Sequence, residues 1–549
     1  MESSLVYIGI MAEHRSVWDR RVPLTPKDIK FLISQNKNLR FIIQPSKTRI
    51  FKNSEYEEIG AEISDNLEKC SLILGVRAVA LEAYLPKKTY MFFGHFLKAQ
   101  THNLPFLDKI LEQKIRFIDY EKITNNECKR LVYFGRIAGI AATIDFLAGL
   151  GNLFLKRGIS SPLLTVSYGY RYESLEDAKE NIIKISKILQ YNGMPKELSP
   201  IVFALTGRGK TSEGVAEILK LLPIKEIPPE ELPALFQNKN DPALSQYIYL
   251  CYIDQQHMVE KAPEGEHQAH DHIIFNKHDY YKHPMKYRPI FHEKYLPYIS
   301  VIFNCLYWDQ RYPRLIEDEQ MKTLCLEGKS RLLGVCDIAC DLEGSIEFLK
   351  KYTDEDNHFY TYDPVKSKIV DDIHNIPNGV IYQAIDAISR ELSFDASTEF
   401  SKSLLPFIEK TALSDINKPM EEQNLQKEIF EATITWNGNY TPNFHYLDAL
   451  RKTTFSSNNP KKLKRNNSFI EVELIGHLFD TYAINDVMEL LRHENDVSFN
   501  FYPYLIGRDR NETTRAQLLI NGEDNEKCDV MLEKIQTICK EKGIEMNLI

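Results

Sequence analysis

A chain of 549 residues is too long for one hydrophobic core, so two or three domains are expected. Its 43% hydrophobic and 26% charged residues are ordinary for a soluble globular protein, and a net charge of −9 gives no overall attraction to nucleic acid or anionic membrane. Nine cysteines without a zinc-finger framework suit reduced thiols and speak against structural zinc.

The N-terminal stretch MESSLVYIGIMAEHR carries an acid at Glu2 and is unlike a signal or transit peptide, so a cytoplasmic protein is expected, with the mitochondrion left open. No run of 18 apolar residues suggests a transmembrane helix. Leu5 to Met11 reads as a strand, followed by a charged loop with Arg15, Asp19, Arg20 and Arg21. Thr25 is a candidate N-cap with Pro26 at the first helical position. Further strands are expected at Phe41 to Ile43, Ser71 to Val76 ending at Arg77, Tyr90 to Phe93 ending at Gly94-His95, and Arg116 to Tyr120. Strands alternating with helices imply a parallel α/β sheet, whose ligands gather beyond the carboxyl ends of the strands. Arg21, Arg77, His95, Lys98 and Glu121 all fall just past strands. Phe134 to Leu155 is small and apolar but interrupted by charge and glycine, which suits a hinge helix between two domains.

The stretch IVFALTGRGKTSEG, Ile201 to Gly214, reads as buried strand, glycine turn and helix. Gly207, Gly209 and Gly214 would let backbone N–H groups approach a pyrophosphate at the helix N-terminus, with Arg208 between them. The spacing is G-x-G-x-x-x-x-G rather than G-x-G-x-x-G, so a glycine turn with no ligand stays open. Gly209-Lys210-Thr211 resembles the end of a Walker A loop, but Ala204 stands where that loop needs its first glycine. A second strand near Pro223 to Ile227 offers opposing cues: Glu226 for a ribose hydroxyl and Lys225 for a 2′-phosphate. Leu333 to Ile338 is a later strand, and the apolar pattern from Gly379 to Leu405 returns to cover the first domain. The polar stretch TTFSSNNPKKLKRNNS, 453–468, reads as a solvated linker rather than a nucleic-acid patch. Beyond it, a strand, helix, two strands and a helix suggest a small α+β domain. His267, His270 and His272 share no helical i, i+4 register, so no metal site is expected.

Four segments carry a family resemblance: DRRVPLTP at 19–26, FGHFLKAQ at 93–100, IDYE at 118–121, and CDIACD at 336–341 followed by GSIEF at 344–348. Together they resemble the lysine-ketoglutarate reductase half of alpha-aminoadipic semialdehyde synthase and, more distantly, lysine-forming saccharopine dehydrogenase and the alanine dehydrogenase/transhydrogenase group. The resemblance runs over roughly residues 5 to 450, and EVELIGHLFD at 471–480 resembles the region linking the reductase and dehydrogenase halves of bifunctional relatives. It implies an α/β protein of two Rossmann-like domains with parallel sheets around an interdomain cleft, plus a small C-terminal α+β domain. The segments are 1–145 with 371–452 for substrate, 146–370 for the dinucleotide, 453–468 as linker and 469–549 as the small domain.

The resemblance also implies an enzyme of lysine degradation. It condenses lysine with 2-oxoglutarate to an imine and reduces that to saccharopine with NADPH, NADH remaining open. Proton transfer near neutral pH suits His95, with Lys98 beside it. Arg21 and Arg130 match family positions that would hold substrate carboxylates, and Glu121 a substrate-site position that tunes ionisation. Asp337 matches a stretch near the nicotinamide, though a capped turn explains an aspartate there too. Arg77 stands where the family carries a lysine taken to share the acid–base work. Arginine cannot lose a proton at physiological pH, so it suits a carboxylate-holding role, and a cofactor-binding regulatory protein of weakened catalysis is the alternative. Partners are the small-molecule substrates, with no nucleic acid or membrane. A homo-oligomer and a separate saccharopine dehydrogenase are both compatible.

Overall fold

The computed structural model describes residues 5–14, 16–96, 104–237, 241–262, 275–309, 311–445, 447, 469–476, 481, 483–492, 497–505, 514–522 and 525–548. The linker expected at 453–468, the histidines at 267–272 and Lys98 lie outside the described residues. The chain divides into two units, Met1–Gly94 with Asp108–Thr441, and His95–Leu107 with Pro442–Ile549.

The first unit holds two eight-stranded sheets. In the first, β1 (Val6–Ile10), β2 (Leu39–Ile43), β3 (Glu62–Ile63), β4 (Cys70–Arg77), β5 (Thr89–Phe93) and β6 (Arg116–Asp119) run parallel. β1, β2, β4, β5 and β6 are short, mostly buried apolar runs, as the inner strands of a parallel sheet should be, while β3 is a partly exposed two-residue edge. The helices α1 (Pro26–Gln35), α2 (Asn53–Glu57) and α3 (Leu104–Glu112) come from this part of the chain. Thr25 caps α1 by accepting from the Asp28 N–H, with Pro26 in the first turn as expected.

In the second sheet, β7 (Ile201–Thr206), β8 (Ile224–Glu226), β9 (Ile248–Ile253), β12 (Val301–Asn304), β13 (Gly334–Asp337) and β16 (Val380–Gln383) are parallel, while β14 (Tyr360–Asp363) and β15 (Lys368–Asp371) are antiparallel additions at one edge. This sheet therefore draws strands from 201 to 383, past residue 370. Between β9 and β12, β10 (Val259–Lys261) and β11 (Tyr287–Pro289) form a separate antiparallel ribbon. The first sheet is completed late, by β17 (Thr433–Trp436) antiparallel to β6 and β18 (Asn439–Tyr440) antiparallel to β17. The helix Ser393–Leu413 contacts α1, β1 and β4, as the return of the pattern after Gly379 implied.

The stretch read as a hinge is α4 (Gly135–Lys156), which lies in the chain between β6 of the first sheet and β7 of the second and is buried in the core of the second. By length and composition it could cross a membrane, but 89% of its most apolar window is buried in the protein. Ile144, Leu147, Leu150 and Phe154 join β7, β12 and β16 residues in one apolar core. It packs along α6 (Lys210–Leu219) at very short range: a Cβ on Gly139 would lie 2.0 Å from the Thr211 carbonyl oxygen, and one on Gly214 would lie 2.1 Å from that of Arg136. α5 (Leu175–Asn192), capped by Ser174, belongs to the same core.

The second unit contains β19 (Phe469–Gly476), a helix (Ala483–Arg492), β20 (Val497–Leu505), β21 (Thr514–Gly522), a helix (Asn525–Glu541) and β22 (Glu545–Leu548). The sheet order β20-β21-β19-β22 makes this a split βαβ, ferredoxin-like layer whose helices pack over Val472, Leu474 and Leu518. Its last strand had no sequence signal strong enough to be expected.

Candidate functional site

In both sheets of the first unit the order of the parallel strands reverses at one point. In the first sheet β1 is flanked by β2 on one side and β4 on the other; in the second, β7 is flanked by β9 and β12. Ligands of open α/β sheets collect at such switch points.

Beyond the first switch point lies a dense charge cluster. Asp19 and Arg21 form a buried two-pronged pair, Nη2 to Oδ2 at 2.6 Å and Nε to Oδ1 at 2.8 Å. The remaining Arg21 nitrogen donates to Ser389 Oγ at 2.9 Å, and the guanidinium lies 4.4 Å over the Phe134 ring. Burial raises the Asp19 carboxyl, but the Arg21 charge and hydrogen bonds outweigh it and hold the group below the usual carboxylate range. The loop carrying Arg21 is pinned by the helix Ser393–Leu413: Val22 N–H donates to Ser397 Oγ and Thr25 N–H to Ser401 Oγ, both at 3.0 Å.

Arg77 ends β4 and donates to Asp386 Oδ2 at 3.1 Å, with Nε 3.8 Å from Asp19. Its side chain is one-fifth exposed and Asp386 is mostly exposed, so this pair opens more readily than the Arg21 fork. Glu13, three residues past β1, accepts from the Val76 N–H at 2.7 Å and the Arg77 N–H at 3.3 Å. Burial and the neighbouring Asp19 charge push its carboxyl up to about 7, against the pull of those N–H groups and Arg21. Sequence reading passed over Glu13, although an acid just beyond a parallel strand is the same signal that drew attention to Arg77.

Arg21 was expected to fork onto a substrate carboxylate. Its fork is instead filled by Asp19, and a ligand carboxylate must displace that partner or Ser389. Arg130 is more than half exposed and lies 3.8 Å from Glu121, which sits in the turn after β6. His95 follows Gly94, is exposed, and takes a left-handed backbone (φ 56°); it begins the 95–107 segment of the second unit.

At the second switch point a glycine turn links β7 to α6. Gly207 adopts φ 79°, and a Cβ there would lie 3.1 Å from the Cys305 carbonyl oxygen just beyond β12. Gly209 caps α6 without a side-chain bond, and its Cβ would meet nothing within 4 Å. Beside this turn lies a cavity of about 380 Å³, lined by Gly207, Arg208, Gly209 and Ser212 at the start of α6, by Glu213, Ala216, Glu217 and Lys220 further along that helix, and by Tyr252. Gly214 stands outside this turn. It lies in the body of α6, where lack of a side chain admits α4.

The strand beside β7 is β9, not β8, so the acid that follows the neighbouring strand is Asp254. Arg208 forks onto Asp254 at 2.9 and 3.0 Å and lies 4.5 Å over the Tyr252 ring. Glu226, expected at the ribose, ends the edge strand β8 and pairs with Lys220 at 3.2 Å. The patterns differ: β8 is Ile224-Lys225-Glu226, with one apolar residue and an exposed end, whereas β9 is the continuous buried apolar run Ile248 to Ile253, which sequence reading passed over. Asp337 ends β13 in a buried network, accepting from Tyr382 Oη at 2.6 Å and Asn304 Nδ2 at 3.0 Å, and burial pushes it up to about 6. Lys210 pairs with Glu213 within the first turn of α6, which does not extend it toward a triphosphate.

Residues 9–141 match the model of the alanine dehydrogenase/PNT N-terminal domain, and 469–547 match the LOR/SDH bifunctional enzyme conserved region. The alpha-aminoadipic semialdehyde synthase of Arabidopsis thaliana is 36% identical over 96% of this chain and 50% of its own length. These synthases are relatives of the chain. The mitochondrial synthase of Bos taurus is 31% identical over 81% of this chain and 48% of its own length. The chain therefore spans about half the length of the curated relatives it matches. Among solved structures, an L-alanine dehydrogenase superposes with a TM-score of 0.51 at 13% identity, covering 81% of this chain and 100% of that one, which supports the two-sheet Rossmann-type fold.

Proposed function

We propose that this chain is an oxidoreductase of lysine degradation that joins lysine to 2-oxoglutarate and reduces the imine to saccharopine with NADPH. The observation that carries this reading is the pair of switch points, one a glycine turn and the other a cluster of cations and a proton-holding carboxyl, in a relative of the semialdehyde synthases. When bound, the nicotinamide supplies the hydride. The α6 N-terminus and Gly207 to Gly209 hold the pyrophosphate, and Arg208, turned from Asp254, meets a 2′-phosphate. Arg77 and Arg130 take the substrate carboxylates: Arg77 is partly exposed and held by the mostly exposed Asp386 with Asp19 at longer range, and Arg130 is more than half exposed and faces Glu121 at 3.8 Å. Forming and dehydrating the carbinolamine needs a group that holds and releases a proton near neutrality. Glu13 has that character, and His95 with Lys98 is the further donor set implied by the resemblance; Glu121 and Asp337 complete the two sites.

The test is the loss of reduced-nicotinamide absorbance on mixing the full chain with NADPH, lysine and 2-oxoglutarate. Turnover that requires both substrates and falls by about 10²-fold in Glu13→Gln is the expected result. NADPH binding without oxidation, in the parent chain and in Arg77→Lys alike, overturns it.

A further inference from the structure

Asp145, His358 and Glu391 come together in the interior of the first unit from three separate places: mid-α4, the residue two before β14, and the short turn Ile388–Leu392. His358 Nε2 lies 3.1 Å from Glu391 Oε1 and 3.8 Å from Asp145 Oδ2, and one donor atom of each residue lies within 4.8 Å of the other two. The side chains of Asp145 and Glu391 are wholly buried and that of His358 is 3% exposed.

Each group is aimed by a second contact. Asp145 Oδ1 accepts from the Gly169 N–H at 2.7 Å, and Glu391 Oε2 accepts from the Tyr170 N–H at 2.9 Å. The His358 ring stacks on Tyr168 with centroids 3.8 Å apart and planes 6° apart. Asp145 Oδ2, turned toward the imidazole, has no hydrogen-bond partner. An unpartnered carboxylate oxygen at zero exposure is costly unless it takes up a proton, toward which burial pushes Asp145, or something cationic meets it.

We propose that these three residues hold one divalent first-row metal ion, with Asp145 Oδ2, His358 Nε2 and Glu391 Oε1 as ligands. Donors about 2.1 Å from a tetrahedral ion stand roughly 3.4 Å apart, and the two measured separations bracket that value. One imidazole and two carboxylates suit zinc, manganese or iron rather than a soft-ligand site. The backbone bonds from Gly169 and Tyr170 are the outer contacts that fix ligand orientation in metal sites. Of the other charges acting on the cluster, Glu355 pairs with Arg390 at 2.7 Å, and Arg171 favours the Asp145 carboxylate from nearby. Because Ser389, Arg390 and Glu391 are consecutive, the ion would fasten the turn whose Ser389 receives Arg21. The role is positional. No spacing in the sequence announces the site, since its ligands are more than two hundred residues apart at the extremes.

The rival occupant is a proton shared between His358 and Glu391. Zinc is the probe that separates the two. The full chain, with His267, His270 and His272 changed to Ala to remove the histidine-rich tract, is produced with added zinc and dialysed against zinc-free buffer. Elemental analysis is expected to find one zinc per chain, lost in Asp145→Asn, which keeps the side-chain shape and its bond from Gly169. X-ray absorption of the loaded parent, which needs no variant to fold, is expected to show nitrogen and oxygen neighbours only. A folded chain that retains no zinc, zinc retained equally by Asp145→Asn, or a sulfur-containing shell from the cysteines overturns the proposal. None of these readouts depends on turnover.

Discussion

Glu13 keeps its proton in the folded chain up to about pH 7, whereas in the unfolded chain it releases it near its ordinary value of 4.5. Between those values the folded state binds more protons, so raising the pH costs stability. Relative to Glu13→Gln, the parent chain is expected to lose about 1 kcal/mol or more between roughly pH 5 and pH 7, as measured by denaturant unfolding across that range. Asp19 works in the opposite sense, being held low by Arg21, and its contribution is lost only as pH falls below the ordinary carboxylate range. Arg21→Ala strands that buried carboxylate, and a loss of about 3–5 kcal/mol in unfolding free energy is expected. At this scale the sequence told which residues lie past strand ends, because a charged residue following an apolar run is visible in one dimension. It did not tell that Arg21 is spoken for by Asp19 two residues earlier, since an ion pair and a substrate fork use the same guanidinium.

Two crossing helices define the middle scale. Gly139 on α4 and Gly214 on α6 let the backbones approach so closely that an added methyl meets a carbonyl oxygen at about van der Waals overlap. Gly139→Ala is therefore expected to destabilise by about 1–3 kcal/mol or more, read from the shift in the denaturation midpoint, although alanine is the better helix former. Gly214 illustrates why motif spacing misleads: the phosphate-turn reading and the helix-packing reading both demand glycine, and only the three-dimensional path of α4 separates them. Strand order failed for a different reason. Glu226 drew the eye to β8, a two-sided polar edge strand, while the neighbour of β7 is the fully apolar run Ile248 to Ile253, as a strand buried inside a parallel sheet should be.

For the molecule as a whole, ligand binding and stability are linked. A dinucleotide present at roughly a hundred times its dissociation constant should raise the unfolding free energy by about 2.7 kcal/mol. Gly209→Asp is expected to fold normally, because its Cβ meets no atom within 4 Å, yet to abolish that increment by placing a carboxylate where phosphate must sit. Differential scanning of the two proteins with and without NADPH checks both statements. The two-sheet architecture was legible because apolar runs and helical periods alternate down the chain. The Asp145, His358 and Glu391 constellation was not, since α4, the start of β14 and the turn after β16 meet only once the second sheet has formed.

The late completion of the first sheet has a bearing on biosynthesis. β6 ends at residue 119 and its antiparallel neighbour β17 begins at residue 433, so about 300 residues separate the two halves of that ladder. At common rates of translation the outer edge of β6 waits roughly 15–60 s on the ribosome for its partner. During that interval it is an open template for foreign strands, and holdase chaperones that shield nascent edges are where demand from this protein should fall most heavily.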